Sequence, residues 1–151
     1  MQKIVPFLWF DGQAEEAAKF YVSIFKNSKI LSVMPGPDGR AMSVTFQLEG
    51  QPFYALNGGP QYKFTPAISL FVNCETQKEV DELWGRLSAS KADEQCGWLK
   101  DKYGLSWQVI PTALGKMLGD KNAKKAGAAM QAMLKMKKID IAGLQQAYDR
   151  A

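Results

Sequence analysis

No histidine occurs among the 151 residues. Its absence removes the usual general base near neutral pH, the commonest zinc ligand, and every Ser-His or Cys-His pair. Cysteine is scarce as well. Cys74 and Cys96 are too few for a disulfide framework and are expected to be two buried thiols of a cytoplasmic chain. A metal would have to rely on carboxylates, amides and water, which suits magnesium, calcium or manganese better than zinc. No apolar run approaches the roughly 20 residues of a membrane span. The opening MQKIVPFLWFDG lacks a small-residue cleavage site and reads as a strand rather than a secretion signal. Paired carboxylates are missing too. Glu15 and Glu16 are neighbours, but on a helix they point about 100° apart and cannot work as an acid–base couple.

What is present is enough for one domain of ordinary size. KIVPFLWF is a strand ended by Asp11-Gly12, and Asp11 is placed to cap the helix that follows. Ala17, Phe20, Tyr21 and Ile24 give that helix an apolar stripe to about Lys26. ILSVMP, RAMSVTFQL and FYAL are strands separated by PGPDG and Glu49-Gly50-Gln51-Pro52 turns. The pattern then restarts. AISLFVN is a strand, Thr76-x-x-Glu79 is a capping box, and Val80, Leu83, Trp84 and Leu87 form the next apolar stripe. CGWLK and LSWQVI are two strands around a turn at Asp101–Gly104. Phe10-Asp11 lies over Val72-Asn73, and Ala17, Phe20 and Tyr21 lie over Val80, Leu83 and Trp84 with one inserted residue. This supports an internal duplication.

The tail is different in kind. Residues 113–151 hold seven Lys and one Arg against three Asp, so the net charge of +4 is carried there and the first 112 residues are close to neutral. Ala126, Ala129, Met130, Met133 and Leu134 share one helical face, which predicts two or three helices packed on the sheet or on a partner chain. With no nucleic-acid motif and no interleaved arginine or aromatic, the lysines read as a solvated face. Neither nucleic acid nor membrane is expected as a partner.

PFLWFDGQAEEAAKFYVSIF, LNGG at Leu56–Gly59, SLFVNCET and QCGWLKDKYGLSWQVIPT, in that order, resemble the PhnB-like branch of the vicinal oxygen chelate superfamily. Its relatives are glyoxalases and bleomycin-resistance proteins, and such domains often carry the label 3-demethylubiquinone-9 3-methyltransferase-like. The resemblance implies an α+β fold of two βαβββ modules forming a curved mixed sheet around a concave pocket. The modules would span about residues 1–60 and 61–112, with a helical extension over 113–151. It also implies a homodimer.

Enzymes of the superfamily hold a divalent metal from the first and last strand of each module. The resemblance puts those places near Val5, Tyr54, Ala67 and Gln108. Among them and their neighbours only Gln108 carries a ligand oxygen, and it is neutral, so neither metal nor other cofactor is expected. The same positions decide which strand face looks inward. Phe7, Trp9, Tyr54, Leu56, Ser69, Phe71, Ser106 and Gln108 then line the pocket, and Leu8, Phe10, Leu70, Val72, Trp107 and Val109 become core. An aromatic pocket with a few neutral polar groups suits an apolar or aromatic small molecule.

The expected function is therefore metal-free binding of such a ligand. One alternative is an enzyme, nominally a demethylubiquinone methyltransferase or glyoxalase-like, acting through Trp9, Tyr54, Asp101 and Gln108. Another is an interaction module working through the basic C-terminal helices. No catalytic residue is assigned. Neither βα junction is rich in glycine, as a nucleoside methyl donor would ask. Cys96 has Lys100 and Lys102 near in sequence but no base, Cys74 precedes a helix start, and Asp101 at a turn is expected to serve its own backbone.

Overall fold

The computed structural model describes residues 2–151. They form two compact units, residues 2–64 and 65–151. Among the described residues no helix is long and apolar enough to cross a membrane.

The first unit runs β1 (Phe7–Phe10), α1 (Ala14–Ile24), β2 (Lys29–Pro35), β3 (Ala41–Leu48) and β4 (Gln51–Asn57). Its sheet has the order β1-β4-β3-β2, with β1 parallel to β4 and the other pairs antiparallel. Glu49 and Gly50 both take positive φ, 49° and 83°, which is the backbone of a two-residue hairpin turn matched to the twist of β3 and β4. Alternation along β1 buries Leu8 and Phe10 under α1 and leaves Phe7 and Trp9 on the opposite face. The expected stripe of α1 is rotated. Ala14, Ala17, Ala18 and Tyr21 are buried, while Phe20 and Ile24 are half-exposed. Three alanines at the contact let the helix lie close to the sheet, and Tyr21 stacks on Phe46, which stacks on Phe53. Asp11 does not cap this helix. Gly12, at φ 79°, carries the chain past it, and the Ala14 amide donates instead to Asn57 Oδ1 at 2.8 Å, from the far end of β4.

The second unit runs β5 (Ser69–Cys74), α2 (Gln77–Leu87), β6 (Trp98–Lys100) and β7 (Ser106–Pro111), in the sheet order β5-β7-β6. β5 is parallel to β7, as β1 is to β4. The capping pair is present. The Glu79 amide donates to Thr76 Oγ1 at 3.2 Å, and the Glu79 carboxylate accepts from the Glu75 amide at 3.1 Å. Val80, Leu83, Trp84 and Leu87 are all buried, as their spacing predicts. The mixed α+β architecture with C-terminal helices stands, but this module has one strand fewer than the βαβββ pattern. Ser88–Glu94 is polar and without β-branched residues, so it cannot supply an apolar strand face. It forms a short 3-10 turn at Lys91–Asp93 instead, and the segment closes the free edge of β6. The Ala89 amide donates to Lys100 O, and Gln95 and Trp98 exchange both backbone bonds.

Three helices follow: α3 (Thr112–Leu118), α4 (Ala123–Leu134) and α5 (Ile141–Arg150). They bury Leu114, Met117, Ala129, Ile139 and Leu144 against Ile110 of β7. The expected face of α4 is again shifted: Ala129 is buried and Met133 packs on this cluster, whereas Met130 and Leu134 are exposed. Gln77 ties the tail to α2, donating to Ile139 O at 3.0 Å and accepting from the Ile141 amide at 2.8 Å. The Tyr148 hydroxyl donates to Asp120, which holds that carboxyl below its ordinary range and the phenol above its own. Cys96 and Gly97 donate their amides to Met136 O and Lys137 O, both at 2.8 Å. Gly97 sits at φ 85°, and a Cβ there would meet Ile110 Cδ1 at 2.5 Å. Gly97→Ala should therefore destabilise the chain by about 1–3 kcal/mol, read as a lower midpoint in urea unfolding. An unchanged midpoint would contradict this close packing of turn and tail.

Candidate functional site

In each unit, strand alternation sets four of the eight residues expected to line a pocket on the face opposite the core, and one of them, Ser106, is itself buried. In the first unit the parallel register sets Phe7 beside Tyr54 and Trp9 beside Leu56, so residues 45 or more positions apart become neighbours. Phe7 is 59% exposed, and its ring lies 6.2 Å from that of Tyr54. Trp9 has a structural duty. Its Nε1 donates to Gly59 O at 2.9 Å, Tyr62 meets it edge-on at 5.0 Å, and a Cβ on Gly58 would fall 2.3 Å from the ring. The LNGG turn is glycine-rich because this indole presses against it. Asn57 is equally engaged, donating from Nδ2 to Ala41 O besides accepting from Ala14.

A cleft of about 780 Å³ opens in this unit between the β1–α1 turn and the β2–β3 turn. It contains none of the eight residues. Asp11, Glu15, Asp38 and Arg40 are the charged residues of its lining. The Glu15 carboxylate already pairs with Lys19 at 3.1 Å, and Asp38 Oδ1 accepts from the Arg40 amide.

In the second unit two adjoining rows cross the sheet: Phe71–Gln108–Trp98 and Ser69–Ser106–Lys100. Phe71 is 53% exposed, and Trp98 and Gln108 are half-buried. Gln108 Nε2 donates to Ser69 Oγ at 3.0 Å, which orients the carboxamide and leaves the serine hydrogen available. Ser106 Oγ is buried and has no hydrogen-bond partner among the described residues. Lys100 Nζ lies 3.8 Å from Asp93. Trp98 and Lys100 were not foreseen as members of this face. The signal was the buried Leu99 between them, which stands opposite the core residue Trp107 and so turns its two neighbours to the other side.

Asp101 does not belong to a reactive centre. It is buried, with Oδ1 accepting from the Tyr103 and Leu105 amides and Oδ2 from Trp107 Nε1 at 2.9 Å. A carboxylate that holds a hairpin and a core indole together is not placed to shuttle a proton. Cys96, at φ 51°, is part of the turn that docks the tail.

The family description 3-demethylubiquinone-9 3-methyltransferase matches residues 2–110. The chain belongs to this PhnB-like family. A putative 3-demethylubiquinone-9 3-methyltransferase, a PhnB protein from Bacillus cereus, is 38% identical over 73% of this chain and 99% of its own, with a TM-score of 0.64. Protein PA1353 from Pseudomonas aeruginosa shares the fold at 19% identity, over 74% of this chain and 98% of its own, with a TM-score of 0.55. So does a glyoxylase/bleomycin resistance protein/dioxygenase domain from Frankia sp. EAN1pec, at 16% identity over 74% and 92%, with a TM-score of 0.50. No curated protein matches the chain.

Two groups that the PhnB-like family implies can be tried against these residues. A divalent metal does not fit. Among the described residues no three His, Cys, Asp or Glu side chains come together, and the one amide at a metal position, Gln108, turns its Nε2 to Ser69. A nucleoside methyl donor finds no glycine-rich cradle. At the start of α1 the Ala14 amide goes to Asn57, and at the start of α2 the Glu79 amide goes to Thr76.

Cys74 is buried, and desolvation, then Glu79 and Glu75, push its thiol from an ordinary 9.0 up to about 12. The native protein should therefore leave Cys74 unlabelled by a disulfide reagent at pH 8 until it unfolds. Because the folded value is the higher one, stability should be intact below pH 9 and fall as the pH rises towards 12. Rapid native labelling of Cys74, found by peptide mapping, would contradict its burial.

Proposed function

We propose that this PhnB-like chain binds a small aromatic ligand without a metal, on the sheet face of the second unit around Gln108. The observation that carries the reading is the row Phe71–Gln108–Trp98, in which an amide held by Ser69 stands between two aromatic side chains. Such a row offers stacking surface for a flat ring and a fixed hydrogen-bonding group for an oxygen on it. The adjoining Ser106 hydroxyl supports it, since a buried hydroxyl without a partner is a group that a bound water or ligand oxygen would satisfy. The family's description names a demethylubiquinone, a quinone ring, which is of this ligand class. The exposed Phe7 and the half-buried Tyr54 give the first unit an aromatic face of its own, with Trp9 engaged in holding its turn.

The test is a titration of the protein with water-soluble quinones and hydroquinones, followed by thermal shift and calorimetry. Binding should raise the melting temperature with ligand concentration and be indifferent to added chelator. Gln108→Ala should weaken it by roughly tenfold, the loss of about one hydrogen bond, and Trp98→Ala should weaken it further. Binding that Gln108→Ala leaves unchanged, or that chelator abolishes, would sink the proposal.

A further inference from the structure

Lys100 is the only charged residue in the three strands of the second unit, SLFVNC, WLK and SWQVIP. It stands two positions from Trp98 on β6, so the two side chains leave the same sheet face roughly 7 Å apart. Lysine is depleted in strands, and its charge is costly beside aromatic and apolar groups. A lysine on an edge strand can serve to block further pairing, but the outer side of β6 is already closed by Ala89 and Gln95. The Lys100 side chain is 36% exposed, and the carboxylate paired with it is Asp93 at 3.8 Å. A charge-assisted hydrogen bond is about 2.7–2.9 Å long, so Asp93 balances the charge without occupying an N–H. Among the described residues the ammonium donates no hydrogen bond, and its three donors remain to be used.

The rest of its row has the same polarity. Ser69 Oγ accepts from Gln108 and keeps its hydrogen, and Ser106 Oγ, between Ser69 and Lys100, is buried without a partner among the described residues. Two hydroxyls and an ammonium thus form a line of donors beside the aromatic row Phe71–Gln108–Trp98, and neither row holds a carboxylate. A ring that carries an anion matches an aromatic row bordered by donors. We infer, on the ligand reading above, that the molecule bound by the second unit is an arenecarboxylate, its ring against Phe71 and Trp98 and its carboxylate met by Lys100. The rows are two residues apart along the strands, so a ring on the first brings its substituent to the second. Lys100 is then the residue that selects an anionic ring over a neutral one.

Calorimetric titration of the full chain with benzoate, benzamide and hydroquinone tests this. Benzoate should bind roughly tenfold more tightly than benzamide, the gain of a charge-assisted bond over a neutral one, and should lose part of that advantage in high salt. Lys100→Gln should abolish the preference, and Lys100→Arg should keep it. Asp93→Asn leaves every residue of the two rows in place and should enlarge the preference by freeing the ammonium. Hydroquinone binding that Gln108→Ala weakens, without any preference for benzoate, overturns the role of Lys100 and leaves the ligand reading standing. If neither hydroquinone nor benzoate binds, both fall together. A preference that survives Lys100→Gln, in a variant whose circular-dichroism melt matches that of the unsubstituted chain, overturns the inference as well.

Discussion

The parallel pairing of first strand with last is the constraint from which the rest of each unit follows. A parallel neighbour requires a crossover, and α1 and α2 supply it by returning over one face of their sheets. That face is closed by the helix and becomes core. The other is left open, and the same pairing assembles its surface from distant sequence: Phe7 with Tyr54, and Phe71 with Gln108. Everything proposed about ligand binding lives on the open face.

Polar side chains, one of them buried, hold the loops around this framework, and each is satisfied within its own unit. Asn57 joins the end of β4 to the start of α1 and to β3. Gln77 joins α2 to the C-terminal helices. Asp101 draws two amides and an indole into one hairpin. These groups are the ones a sequence reading is most tempted to assign to chemistry, since amides and carboxylates are what catalysis uses. The structure gives them to packing, because leaving such groups buried without a partner costs about 1–3 kcal/mol each. Ser106 is the exception: its hydroxyl is buried and has no hydrogen-bond partner among the described residues.

Membership of the PhnB-like family and the residues present pull in different directions. The resemblance implies metal-ligating positions, yet the donor set at them here is one neutral amide turned to a serine. Oxygen ligands for a dication normally include a carboxylate, and this chain places its carboxylates in caps, turns and surface pairs.

Much of the fold was legible from local pattern. Period-two alternation separated Leu8 and Phe10 from Phe7 and Trp9, and the Thr76–Glu79 cap and the stripe from Val80 to Leu87 are where their spacing put them. These are short-range properties, set by strand pleat, helix pitch and the orphan amides of a helix start. Register was not legible, because it depends on which strands meet. Trp98 and Lys100 joined the open face only once β6 was laid against β7. Likewise Asp11 was the nearest cap for α1, but the amide took its partner from Asn57, 43 residues away. The missing strand of the second module was half visible in the polar run Ser88–Glu94, and only the bonds from Ala89 and Gln95 showed that the run closes an edge. Residue types determined that this chain has no histidine chemistry and a weak donor set for metals. Tertiary pairing decided which of the remaining polar groups hold the fold and which are left facing out, because a hydrogen bond belongs to whichever partner the packing brings within reach.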